Sequence, residues 1–277
     1  MLRFGVVSVC VLVEERKRMK AAAFVCGLVV LLCSCVSAEE KPVMVDMKTH
    51  LLSKHIFRGQ TRNDDITSKT EVVLNKNMFH LGFTGFADLN DENNRKGELT
   101  EVNIDLGFKM PLIDDSKNEK ERYLDLVGGL KHFAYPSYER KGTTEAYVGL
   151  MGKTVWGLEP SATLSYDLDE VNGAYFSLDL QRPFHFYNVD FFGTKFNVEV
   201  CPKIGLGYGS AEYNEYYFGV DEACFSDWHA GLSVMVRKGR FEFGPSVTYT
   251  ALVDDVLQKA IGDDEHVVYQ FTFGVKF

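Results

Sequence analysis

Val102, Ile104, Leu106 and Phe108 alternate with Glu101, Asn103, Asp105 and Gly107. The same two-residue rhythm returns along the chain. Phe79, Leu81 and Phe83 carry it, as do Phe196, Val198, Val200, Pro202, Ile204 and Leu206. It recurs at Trp228, Ala230, Leu232, Val234 and Val236, and again at Phe241, Phe243, Pro245, Val247 and Tyr249. The last segment sets Val267, Tyr269, Phe271, Phe273, Val275 and Phe277 against Val268, Gln270, Thr272, Gly274 and Lys276. Successive side chains of a strand point to opposite faces, so period two marks strands with one apolar face. Weaker versions occupy 43–56, 67–76, 122–132, 143–152, 158–167 and 173–182. Together they predict about 12 strands joined by polar, Gly- or Asn-containing connectors.

Alternation alone does not say which face is the core. A soluble barrel turns its apolar face inward; a membrane barrel turns it to lipid and lines its interior with polar groups. The polar faces here are rich in Gly, Ser and Thr, which suit a restricted interior. Aromatics gather near strand ends, among them Tyr123, Phe133, Tyr135, Tyr138, Trp156, Tyr166, Tyr175, Phe184, Phe186, Tyr187, Trp228 and Tyr249. Such placement predicts aromatic girdles at the two lipid interfaces. The expectation is all-β: one closed antiparallel transmembrane β-barrel over residues 39–277. Closure satisfies every backbone group without an edge, so the final strand is expected to pair with the first. Short connectors are expected at 75–77, 153–157 and 237–240. Those at 111–121 and 183–194 are longer than this scheme wants, and 58–66, 88–98, 207–223 and 251–265 read as outer loops.

Residues 19–38, MKAAAFVCGLVVLLCSCVSA, have the order of a secretory signal: a basic start, an apolar middle and small residues before two glutamates. Met19 is the expected start and Ala38 the last residue of the leader. Cys35 also loosely fits a lipoprotein cleavage box. The apolar run is shorter than the roughly 20 residues of a transmembrane helix. The chain carries a net charge of −9, and more once the basic leader is removed. That argues against nucleic acid as a partner, which needs a basic face. Only Cys201 and Cys224 lie beyond the leader, too few for a disulfide scaffold or a cysteine metal site.

Glu101, Asp105, Glu145, Lys195, Glu199, Lys203, Arg237, Glu242 and Lys276 fall on the polar faces and are the expected lumen charges. In an open pore they would set ion selectivity; in a plugged barrel they would pair with one another. Arg58-Gly59 reads either as a turn or as an arginine at the lumen rim. His229 and Ser233 share a strand face, yet four residues span about 13 Å, too far for direct hydrogen bonding, and no G-x-S-x-G elbow occurs. No catalytic, cofactor or metal residue is therefore expected. Cys201 and Cys224 could bond if the chain turns tightly near Tyr213-Asn214, and could not if 207–223 is a long loop. The acidic runs 88–93 and 263–265 lack the ligand spacing of a calcium loop and read as solvated.

Two resemblances add to this. Tyr269, Phe271, Phe273, Val275 and Phe277 resemble the terminal signal that outer-membrane assembly machinery reads on bacterial barrels. Ser53-Lys54-His55-Ile56-Phe57-Arg58-Gly59-Gln60 resembles the first-strand stretch S-x-Y-x-W/F-R-G of a bacterial outer-membrane porin family, with His55 and Phe57 where Tyr and Trp are common. Residues 143–149 and 165–170 also look like that family. The resemblance implies a Gram-negative outer-membrane location, contact with outer-membrane lipids and the assembly machinery, and passive diffusion of small hydrophilic solutes or ions. The alternative is a non-conducting barrel with a structural or envelope-interaction role, which a plugged interior would mark.

Overall fold

The computed structural model describes residues 42–90, 96–114, 122–138, 140–262 and 265–277. The expected leader, 1–38, lies outside them. The strands are β1 (Met44–Leu52), β2 (His55–Phe57), β3 (Gln60–Asn63), β4 (Thr67–Lys76), β5 (Phe79–Asp88), β6 (Leu99–Asp114), β7 (Tyr123–Ala134) and β8 (Thr143–Lys153). They continue as β9 (Glu159–Asp167), β10 (Ala174–Gln181), β11 (Phe184–Phe191), β12 (Thr194–Gly209), β13 (Cys224–Lys238), β14 (Phe241–Leu252) and β15 (Glu265–Lys276). Two short helices, α1 (Ala211–Phe218) and α2 (Asp255–Ile261), precede β13 and β15.

Twelve of the strands form a closed antiparallel barrel. β1 pairs with β15 from Asp46↔Lys276 to Leu52↔Gln270, and β10 pairs with both β9 and β12, so the sheet has no open side. The expected pairing of last strand with first is present. Its cause is the one given above: each staves' N–H and C=O groups find partners on both flanks.

The alternation sets the two faces. Leu106, Ile204, Phe271 and Phe273 point outward and are about half exposed, while His50, Glu101, Asn103, Glu145, Ser165 and Asp227 point inward and are buried. The hydrophobic side of the sheet is on the outside.

The two rims differ. The rim that holds the ends of β1 and β15 has tight turns at 77–78, 192–193 and 239–240. The far rim carries the β2–β3 hairpin, α1 and α2. There Ser210 accepts from Tyr213 N and Asp254 from Val256 N as N-caps, and Gly219 and Gly262 end the helices in the left-handed region. Asp167 ties down the β9–β10 connection, accepting from Thr143 Oγ1 at 2.6 Å and from the backbone N–H of Asp169 and Val171.

The long connector 183–194 resolves into structure. β11 continues β10 in the same register on β12, from Gln181↔Lys203 to Phe184↔Val200. β9 stops at Glu159, opposite Gln181, so β11 runs past the barrel wall with only β12 beside it. A bulge between Phe186 and Val189 places Asn188 at φ 56°.

Candidate functional site

The β2–β3 hairpin, expected to be part of an outer loop, folds into the lumen. Phe57 pairs with Gln60 across Arg58-Gly59, and both turn residues have positive φ, 51° and 77°. This is the type I′ geometry that suits the twist of a two-residue hairpin. Gly59 is required twice over. Its φ is left-handed, and a Cβ there would lie 2.7 Å from Leu252 Cδ2 and 2.9 Å from Asp227 Cβ. The hairpin tip thus touches the opposite wall.

Arg58 makes the main anchor. Nη1 and Nη2 each donate to one oxygen of Glu145 at 2.8 Å. Its guanidinium carbon lies 4.1 Å from the centre of the Tyr175 ring and 4.7 Å from that of Phe57. Tyr213 and Ser165 are at the edge of hydrogen-bonding range, 3.5 and 3.4 Å. Tyr175 in turn donates to Asp227 at 2.8 Å. Burial by itself would push Arg58 down; Tyr213 and the Glu145 carboxylate outweigh it and hold its pKa well above the ordinary value. The fork geometry of guanidinium on carboxylate is the strong form of an ion pair, and here the pair is nearly dry.

Further contacts fix the hairpin stem. His55 stacks on Phe86 with centroids 3.9 Å apart and planes 9° from parallel. Burial, then Arg62 and Lys69, lower the His55 pKa to about 3, so its ring is neutral. Gln60 donates to the Tyr217 carbonyl, and Phe57 meets Phe133 edge-on. Around the tip, Val171, Tyr175, Tyr213, Phe218, Cys224, Leu252 and Leu257 form a small hydrophobic core inside the far mouth.

Several expectations are corrected by this arrangement. Phe133, Tyr135 and Tyr175, assigned to an outer aromatic girdle, are buried inside instead. The chain spends them on packing the plug. Cys201 and Cys224 are both free and do not form the considered disulfide. Cys224 opposes Gly209 while Cys201 opposes Ser233, so eight residues, about 26 Å of strand, separate their levels. The loop-and-helix reading of 207–223 is the one realised. Lys195 opposes Asp190 on the part of β12 beyond β13's first pair at Asn197, outside the barrel wall rather than in the lumen.

The other expected lumen charges fall into separate groups. Glu145 belongs to the plug. Glu101 is buried and accepts from Asn103 Nδ2 at 2.8 Å. Asp105 accepts from Tyr147 at 2.9 Å and pairs with His80 at 3.1 Å. Towards the terminal rim, Arg237 bridges Glu199 at 2.7 Å and Glu242 at 3.1 Å, Lys48 reaches Glu242 at 2.8 Å, and Lys276 stands 4.0 Å from it. Lys203 lines an inner cavity of about 350 Å³ under the hairpin together with Glu71, Lys131 and His229. His229 pairs with Asp179 at 3.2 Å, and Ser233 donates to the Cys201 carbonyl at 3.5 Å, so the two do not meet. Among the described residues no group of three or more His, Cys, Asp or Glu side chains could hold a metal.

Sequence reasoning missed Arg62, Arg140, Tyr213 and Tyr217. A signal existed for the hairpin: Arg-Gly at the centre of an alternating stretch, His55 to Asn63, fits a two-residue turn. Nothing local connects that stretch to α1.

The fold and site define a closed twelve-stranded antiparallel barrel with an arginine-tipped hairpin plugging its far half. Residues 73–256 match the family of the MltA-interacting protein MipA, and the chain belongs to that family. The porin-like stretch 53–60 lies outside the matched residues. No curated protein matches the chain. Solved structures of similar outline include a KdgM porin (8% identity, 85% of this chain and 99% of that one, TM-score 0.48). LpxR from Salmonella typhimurium shows 7% identity over 83% and 99%, TM-score 0.48. The β domain of the Bordetella autotransporter BrkA shows 13% over 86% and 99%, TM-score 0.45.

Proposed function

We propose that this chain is a bacterial outer-membrane barrel, closed by its own hairpin, that serves the envelope as an anchored platform for a protein partner. The observation that carries the reading is the bidentate Arg58–Glu145 pair, which locks the hairpin across the lumen. An outward apolar face suits lipid, and short turns on one rim against long insertions on the other match periplasmic and extracellular sides respectively. The family takes its name from a member that interacts with MltA, which supports a protein partner. The periplasmic rim offers a place for one: β11 is exposed except at half-buried Val189 and pairs on one side only, and such an edge is a template for strand addition.

The test has two arms. Refolded 39–277 in a planar bilayer should insert without discrete current steps, whereas Arg58→Ala should conduct. Immobilised MltA should retain the wild-type barrel and lose a Val189→Pro variant, in which the β11 edge is broken. Open-channel steps from the wild type would sink the closed-barrel reading.

Such steps would favour the second reading, a porin passing small hydrophilic solutes or ions. One observation speaks for it: the periplasmic half holds a charged cavity of about 250 Å³ lined by Glu159, Asp179, Lys203 and His229. Lys203→Glu would then shift ion selectivity.

A further inference from the structure

The loops of the far mouth are acidic overall, yet two of its arginines have no ion-pair partner among the described residues. Arg58 is matched by Glu145. Arg62, on β3, and Arg140, after β7, form no ion pair with a described carboxylate. Both nevertheless crowd onto the same two rings. The Arg62 guanidinium carbon stands 5.1 Å from the Tyr217 centroid and 5.9 Å from that of Tyr135. For Arg140 the distances are 5.4 and 4.7 Å. Two like charges held this close repel each other, and aromatic faces offset only part of that.

One atom of this pair of arginines is short of a partner. Arg62 Nε is out of contact with solvent and has no hydrogen-bond acceptor. Buried donors are almost always paired, so this one marks a place where an acceptor belongs. Both guanidiniums border a cavity of about 340 Å³ that His55, Thr61, Glu101 and Tyr135 also line. That volume is in the range of small-ligand sites. Among the described residues Glu101 is the one carboxylate in the lining, and one of its oxygens is taken by Asn103. Among the described residues the lining therefore sets two guanidiniums against one carboxylate in a half-dry setting, where a charge-assisted contact is strong.

We propose that this mouth cavity binds the phosphate group of a small soluble solute, gripped between Arg62 and Arg140. Two guanidiniums suit a dianion, and a phosphate monoester offers acceptors to both forks at once. Tyr135 and Tyr217 act as positioning residues that hold the two arginines. The site faces outward from the plug, so its occupancy does not depend on whether the lumen conducts.

The test is calorimetric titration of the detergent-solubilised barrel with glucose 6-phosphate, using glucose as the uncharged twin. Binding of glucose 6-phosphate should be at least tenfold tighter than that of glucose and should weaken as salt rises. Arg62→Gln/Arg140→Gln should weaken it at least tenfold. Arg62→Lys/Arg140→Lys should keep part of it, since charge persists while the fork is lost. Arg237→Gln, far from the mouth, should bind as wild type, and Glu101→Gln should bind more tightly. Heat-modifiable migration of each variant checks that the barrel is folded. Equal binding of glucose, no binding by the folded wild type, or full binding by the double Gln variant would overturn the proposal. Phosphatidic acid in the micelles serves as the competing source: full displacement of glucose 6-phosphate at equimolar lipid would assign the site to a lipid headgroup instead.

Discussion

The far and terminal halves of this barrel are lined by the same kinds of residue and use them in opposite ways. In the far half, Arg58 and Glu145 are 15% and 4% exposed, enclosed by Tyr175, Tyr213 and a small apolar core. In the terminal half, Arg237 is 38% exposed and shares Glu242, itself 3% exposed, with Lys48 and Lys276. The first pair is dry, and Arg58 is the one cation that Glu145 meets among the described residues. The second joins a buried carboxylate to three half-exposed cations, so one loss is absorbed by neighbours. The same charge alternation thus builds a two-partner lock at one end and a shared network at the other, and what separates them is that the inserted hairpin also buries the cation, 15% exposed at Arg58 against 38% at Arg237.

Removing a lock residue should have the largest effect. Arg58→Ala leaves Glu145 buried without a partner and is expected to cost about 3–5 kcal/mol. Urea unfolding in detergent would measure this. Leu252→Ala, which hollows the core beneath the tip, should cost about 2–5 kcal/mol. Val247→Ala on the outward face of the same strand should cost less, because that side chain is already exposed.

Gly59→Ala should cost roughly 1–3 kcal/mol, since the substitution meets both a left-handed backbone and the Leu252 and Asp227 side chains. Protease sensitivity at the β2–β3 turn would report the displaced hairpin.

Acid should separate the halves by another route. His55 has its pKa lowered to about 3 by burial and by Arg62 and Lys69, against an ordinary 6.5. Between those values the unfolded or extruded hairpin binds a proton that the packed one refuses. Its contribution is therefore complete above pH 6.5 and falls as pH drops, by up to roughly 1.4 kcal/mol per pH unit. Hairpin exposure should rise from pH 6.5 to 4, and His55→Phe should flatten that slope while keeping the stack on Phe86.

The smallest effect belongs to the terminal half. Arg237→Ala should change stability by less than about 1 kcal/mol, because the pair is partly solvated and Lys48 remains on Glu242. A loss as large as that of Arg58→Ala would erase the distinction between the halves.

The staves were legible because period two is a local property. Outward Leu106 and Phe273 and inward Asn103 and Thr272 can be assigned from their neighbours alone. The plug was not legible for the same reason. His55 to Asn63 has strand chemistry, but its partners are Phe86, Glu145, Tyr175 and Tyr217, all more than 25 residues away. Tyr175 carries the same aromatic label whether it faces lipid or stacks on Arg58, and only the hairpin's presence decides between them. β11 was hidden by the opposite effect: it looks like a connector because the strand that should flank it ends early.

An antiparallel barrel was readable from the chain because side-chain direction in a strand follows from position, and the apolar exterior because the polar faces are rich in the small residues Gly, Ser and Thr. Only the folded chain sets which interior charges share partners, where the cysteines stand relative to each other, and that Arg58 meets Glu145. Those depend on long-range register and on one segment turning inward, and desolvation, which gives a charge pair its strength, exists only once the chain has enclosed it.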